Sequence, residues 1–167
     1  MPPSEFNPLE LVRALTAHSV DFIVIGGFAA TVHGSPHATF DLDIVPSERG
    51  DNLERLSSAL KALEARIYVS DDEDPIELPD DPKLLERARL WNLTTKFGQL
   101  DIIFEPRSMN DFASAAKGST EIDVGEGITI RVASLDSVIR SKEDADRPKD
   151  RAVLPDLRLL RELGEDR

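Results

Sequence analysis

The chain has 167 residues, enough for one domain with a real core. It is 40% hydrophobic and 31% charged, carries no cysteine, and has a formal net charge of -12. Those values exclude disulfides and thiolate metal sites and argue against a surface that binds nucleic acid everywhere. No apolar stretch approaches the roughly 20 residues that a membrane span needs, and Met1–Asn7 does not resemble a signal peptide, so a cytoplasmic location is expected.

Asn7-Pro8-Leu9-Glu10 reads as a helix start, with a capping side chain, proline at the first position and Glu three residues after the cap. Leu11, Val12 and Leu15 then recur at helical spacing, and the helix is expected to end near Ser19. The apolar run Phe22–Ile25 predicts a buried strand. Gly26-Gly27 follows at once and opens a turn into a short helix, Phe28 to His33, that stops at Gly34. Phe40 to Val45 alternates as a strand: Phe40, Leu42 and Ile44 on one face, Thr39, Asp41 and Asp43 on the other.

Pro46-Ser47-Glu48 is expected to open a helix with Leu53, Leu56, Leu60 and Leu63 as its stripe. A strand over Arg66–Val69 leads into Asp71–Asp81, which holds seven acids and no base. This stretch reads as a solvated loop, or else as a docking site for a basic partner. A short helix is expected near Lys83–Arg89. Trp91, Leu93, Thr95 and Phe97 then alternate as one arm of a hairpin, with Gly98-Gln99 as the turn and Leu100–Phe104 as the returning arm. Asp101 and Ile103 share one face of that arm. A helix near Met109–Ala116 and a strand pair at Glu121–Val124 and Ile128–Val132 come next. Ser134 caps a helix through Val138 and Ile139. A last helix starts at Pro155 and uses Leu157, Leu159, Leu160 and Leu163. Strands and helices mixed with an antiparallel hairpin give an α+β, or mixed-sheet α/β, class. Residues 1–167 are expected to form a single domain, with 134–167 as a C-terminal helical segment.

Asp41 and Asp43 carry the chemistry. Residues i and i+2 of a strand stand on one face about 7 Å apart, so their carboxylates can flank a hard cation or share a pair of cations. Asp is a poor strand former, so two on one face need a reason. Asp101, another Asp on an apolar strand, adds a third carboxylate if its strand lies beside the first. Gly26-Gly27 lets backbone approach phosphate closely, and Thr39 shares the carboxylate face. Lys142, Arg147, Lys149 and Asp150 form a mixed-charge run near the C-terminus, and His37 is the one histidine near the carboxylates. His18 and His33 read as packing or surface residues.

Gly26 to Val45 resembles the nucleotidyltransferase superfamily that includes DNA polymerase beta. There a Gly-Gly or Gly-Ser pair precedes an Asp-x-Asp, and a third acidic residue lies on a later strand. Gly26-Gly27, Asp41-x-Asp43 and Asp101 match in order. Spacing and size are similar to the minimal and abortive-infection toxin-like (AbiEii) members, many of which work in toxin–antitoxin systems. The run Lys142 to Asp150 resembles that group's tail. His37 stands where those proteins usually carry Arg.

The resemblance implies a mixed central sheet flanked by helices and a Mg²⁺-dependent transfer of a nucleoside monophosphate from an NTP such as ATP to a hydroxyl. Asp41, Asp43 and Asp101 would hold two Mg²⁺ ions and do the catalysis. Gly26, Gly27, Thr39, His37, Lys142 and Lys149 would contact the nucleotide. The acceptor would be a tRNA end, a protein side chain or a small molecule, with a cognate toxin or antitoxin protein as a further partner and no membrane. A second expectation is a weakly active or inactive regulatory partner of the same fold. A phosphatase that uses Asp-x-Asp ranks last, because Leu42, Ile44 and Val45 continue the strand through both aspartates.

Overall fold

A computed structural model describes residues 4–106, 109 and 111–165. The elements in chain order are α1 (Pro8–Ala17), β1 (Phe22–Ile25), α2 (Gly26–Val32), β2 (Asp41–Pro46), α3 (Gly50–Ala62), β3 (Arg66–Ile67) and β4 (Ile76–Glu77). After a 3₁₀ turn at Pro82–Arg87 come β5 (Leu90–Thr95), β6 (Gly98–Ile103), α4 (Phe112–Ala116), β7 (Thr120–Asp123), β8 (Thr129–Val132), α5 (Leu135–Ala145) and α6 (Pro148–Glu165). The eight strands form one mixed sheet in the order β4-β3-β5-β6-β2-β1-β8-β7. β2 runs antiparallel to β1 and parallel to β6, and β8 runs parallel to β1. Helices flank this sheet, giving a mixed α+β fold. None of the described helices is long and apolar enough to cross a membrane.

The sheet is built from the alternation already visible in the chain. Leu42 and Ile44 of β2 and Leu100 and Ile102 of β6 are fully buried, so one face of the central strands is core. β1 is buried along its whole length because it lies in the middle of the sheet. Asn7 caps α1 as its sequence predicts, accepting from the Glu10 amide at 3.2 Å. Ser134 caps α5 in the same way, accepting from Ser137 N at 3.1 Å. His18 and His33 are packing residues; their rings bond the backbone carbonyls of Ala14 and Ala133.

Several expectations shift. β2 begins at Asp41, and Phe40 is 75% exposed instead of facing the core. α3 begins at Gly50, not Pro46, because Pro46 still pairs with Phe22 and Ser47 N donates to Asp21 O. The strand expected over Arg66–Val69 is only two residues long, and Ile76–Glu77 of the acidic stretch adds an edge strand to it. The helix expected near Lys83–Arg89 is the 3₁₀ turn. The hairpin turn is Lys96-Phe97, since Thr95 pairs with Gly98. The Thr95 hydroxyl donates to Gly98 O and accepts from Phe97 N, closing the turn two residues early. Of the helix expected over Met109–Ala116, Phe112–Ala116 is helical, and Asn110 lies outside the described residues.

The largest shift is α6, which starts at Pro148 and carries Pro155 inside it. Pro155 is exposed, so the carbonyl it leaves unpaired one turn back can bond water. The buried stripe becomes Asp150, Leu154 and Leu157, and Leu159 and Leu163 point outward.

Asn52 of α3 pins the β1–β2 pair that carries the site. It is 1% exposed, donates to the carbonyls of Asp21 (2.9 Å) and Ser47 (2.8 Å), and accepts from Asp21 N (2.7 Å). Asn52→Ala strands these backbone groups and is expected to cost about 2–4 kcal/mol. Urea unfolding checks this as a lower midpoint at unchanged slope.

Candidate active site

Asp41 and Asp43 project from β2 on the face opposite Leu42 and Ile44. The parallel register with β6 sets Asp43 directly beside Asp101. One carboxylate oxygen from each of the three lies within 4.8 Å of the others. That is well inside the separation that two adjacent metal ions require of shared ligands.

Burial pushes the Asp43 carboxyl well above the usual carboxylate range. Repulsion from Asp41 and Asp101 acts in the same direction, and the Lys142 ammonium opposes it. Asp101 is pushed up to about 6, first by burial and then by Asp41, with Lys149 opposing. Asp43 Oδ1 is buried and has no hydrogen-bond partner among the described residues. An orphaned carboxylate oxygen inside a cluster of mutually repelling carboxylates lacks positive charge. Three hard oxygen donors fit Mg²⁺ by chemistry.

The glycine pair sits where α2 meets this cluster. Gly26 has a φ of +68°, and a Cβ there would collide with Asp43 Oδ2. A Cβ on Gly27 would come within 2.8 Å of Thr39 Oγ1. So glycine is needed here to let the backbone close onto the carboxylates. The helix starts at Gly26 itself, two residues earlier than expected. Thr39 donates toward Asp41, with Oδ1 and the main-chain oxygen both at 3.3 Å.

A cavity of about 670 Å³ lies over the carboxylates. Asp41, Asp43 and Asp101 line it together with Gly26, Gly27, His37, Thr39, Lys142 and Lys149. His37 Nε2 meets Asp156 Oδ2 of α6 at 2.6 Å, tying the loop before β2 to the C-terminal helix. Lys142 of α5 lies 3.6 Å from the buried Asp150 of α6.

Arg147, Asp150 and Asn92 also line the cavity, and sequence reasoning did not single them out as site residues. Arg147 grips Asp150 through Nε at 2.6 Å and Nη2 at 3.2 Å. For Arg147 and Asp150 the signal was present in the charged run Lys142–Asp150. Asn92 had no local signal; only its pairing with Asp101 across the hairpin places it here.

No family model matches the chain, and no curated protein matches it. Solved structures do. A candidate nucleotidyltransferase from Thermotoga maritima is 15% identical with a TM-score of 0.56, over 98% of each chain. The antibiotic-resistance factor ANT(2'')-Ia, in its solution structure, is 15% identical with a TM-score of 0.52, over 92% of this chain and 82% of that one. Its crystal structure in complex with adenylyl-2''-tobramycin gives 14%, 0.52 and 93% of each chain. At such identities the likeness is one of fold. The chain has the nucleotidyltransferase fold, with an eight-stranded mixed sheet flanked by helices.

Proposed function

We propose that this chain is a Mg²⁺-dependent nucleotidyltransferase that moves a nucleoside monophosphate from an NTP to a hydroxyl. The observation that carries this reading is the three-carboxylate cluster on β2 and β6, with an orphaned Asp43 oxygen, beneath Lys142, Arg147 and Lys149. Asp41, Asp43 and Asp101 would hold Mg²⁺, two ions in the fullest arrangement, which neutralises phosphate charge and polarises the phosphorus.

The chain's own groups supply positioning and charge. Lys142 of α5, Arg147 of the α5–α6 link and Lys149 of α6 line the cavity and would meet the triphosphate oxygens. Gly26 and Gly27 let the α2 backbone approach the same phosphates, and Thr39 keeps Asp41 in place. Asp101 sits at the edge of the cluster and orients the acceptor. The acceptor oxygen attacks the α-phosphorus, and the bond from that phosphorus to the β-phosphate bridge breaks. Pyrophosphate leaves with the bonding pair, and the acceptor proton passes to the Asp101 carboxylate.

A second reading keeps the fold without the activity, as one half of a toxin–antitoxin pair. It is favoured by His37, which stands at the position of a usual arginine and is committed to Asp156. One experiment separates the two. The purified protein is titrated with each NTP in the presence of Mg²⁺, and pyrophosphate release is followed with tRNA, protein and small-molecule acceptors. Mg²⁺-dependent NTP binding and pyrophosphate release, both lost in EDTA, are expected. NTP binding without release would favour the inactive partner. Absence of NTP binding would overturn the nucleotidyltransferase reading.

A further inference from the structure

Phe40 is the most exposed large apolar side chain among the described residues, at 75%. A single apolar side chain at a surface is ordinary. This one, however, lines the cavity that holds the three carboxylates, Lys142 and Lys149.

The local chain keeps Phe40 in that place. Alternation along β2 would turn it to the core side with Leu42 and Ile44. Instead the Thr39 hydroxyl donates to Asp41 O at 3.3 Å, a side-chain-to-backbone bond that brackets Phe40, and β2 begins only at Asp41. Thr39 is packed in turn against Gly27, where a Cβ would come within 2.8 Å of Thr39 Oγ1. Asp41 is held by its pairing with Gln99 on β6. Both neighbours of Phe40 are thus anchored, and the ring is presented to the cavity from a short, held stretch of chain.

We propose that Phe40 is the platform on which the nucleobase of the NTP stacks. This rests on the nucleotidyl-transfer reading and adds to it the residue that holds the base. The carboxylate cluster and the cations answer the triphosphate, but they offer nothing to the base, the one large, flat, uncharged group of the same molecule. The Phe40 Cα lies about 3.8 Å from that of Asp41, so a nucleotide held by its phosphates at Asp41 has its ribose to bridge the gap to the ring. The acceptor lies elsewhere. Asp101, which orients it, is level with Asp43, three residues along β2 from Phe40 and so about 10 Å away along the strand. A phenyl ring has no donor or acceptor, so it reads the face of a base and not its edge, and any of the four bases can use it. It also favours the substrate over pyrophosphate, which carries no base, and so helps the product leave.

Calorimetric titration of the full chain in Mg²⁺ tests this, with ATP and inorganic tripolyphosphate as probes. Phe40→Ala is expected to weaken ATP binding about tenfold and to leave tripolyphosphate binding unmoved. Phe40→Leu keeps an apolar side chain without a π-face and is expected to recover little of the loss, whereas Phe40→Trp recovers all of it. The chain has one tryptophan, Trp91. The indole added in Phe40→Trp therefore gives its own signal, and its emission should be quenched by ATP and not by tripolyphosphate. An ATP affinity unmoved in Phe40→Ala overturns the assignment. So does an equal loss for ATP and tripolyphosphate, full recovery by leucine, or added emission that does not respond to ATP. A wild-type chain that binds no ATP overturns the reading beneath it instead.

Discussion

Asp43→Asn is expected to lower nucleotidyl transfer by about a thousandfold or more, and at the same time to raise the melting temperature of the metal-free protein. The two effects have one origin. Asp43 is the carboxylate that burial and its two acidic neighbours most disfavour as an anion, and its Oδ1 has no partner. The amide keeps the shape and removes the charge. Mg²⁺ should reverse the ranking by stabilising the wild type and doing little for the variant.

Asp101 gives the same conflict a pH signature. Its carboxyl is raised from 3.8 to about 6. The favourable contribution of its protonated form is therefore fully present below about pH 4 and is lost as pH rises through about 6. The loss amounts to roughly 1–3 kcal/mol. Thermal melts in EDTA on either side of pH 6 should show the wild type losing stability on alkalinisation and Asp101→Asn following a flatter course. An Asp43→Asn protein that melts lower than wild type without metal, or that retains transfer, would contradict the assignment of a strained cation site.

The carboxylates were legible because they break a local rule. An aspartate pair at i and i+2 inside Leu42-x-Ile44-Val45 spends strand propensity on something other than packing, and the period of two fixes both on one face. Asp101 was legible for the same reason, since its apolar neighbours mark a strand. What the sequence could not display was register. That Asp101 falls beside Asp43, and Asn92 beside Asp101, depends on how β5, β6 and β2 pair.

The hairpin turn was misplaced because Gly98 carries the expected positive φ (+103°) at the first paired position after the turn, where the Thr95 hydroxyl closes it. The start of α6 was misplaced because Pro155 is a strong first-position signal in isolation. Tertiary burial of Asp150, Leu154 and Leu157 outweighs it, at an exposed position where an unpaired carbonyl costs little. Phe40 continues the alternation of β2 in sequence but lies just before the strand and rims the cavity.

Asp150→Ala should lower both the stability of the fold and the affinity for NTP. Asp150 is 1% exposed and accepts from Arg147 Nε (2.6 Å), Arg147 Nη2 (3.2 Å) and the Arg147 backbone amide (3.2 Å), with Lys142 Nζ at 3.6 Å. Burial alone would raise its carboxyl. The Arg147 hydrogen bonds and the charges of Arg147 and Lys142 outweigh burial and hold it below the usual range. The sign is therefore opposite to that of Asp101: this stability is present above the unfolded value and is lost as pH falls. Removing the carboxylate leaves Lys142, whose side chain is only 17% exposed, without its partner. Arg147 is 57% exposed and can rehydrate, so the cost should fall near the low end for a broken buried pair, about 3 kcal/mol. For a chain of this size that lowers the melting temperature by roughly 6–12 °C. The same carboxylate fixes two of the three cations that face Asp41, Asp43 and Asp101, so the NTP KM should rise more than kcat falls. Asp150→Asn, which keeps an acceptor for the Arg147 amide, should recover part of the stability and less of the NTP affinity. Melting curves and initial rates on the two variants check both parts; an Asp150→Ala protein with wild-type melting or an unchanged NTP KM would contradict the role. On the proposed reading, an acidic chain must keep its few site cations aimed at the cavity to meet a triphosphate, and Asp150, buried at the start of α6, holds two of them there.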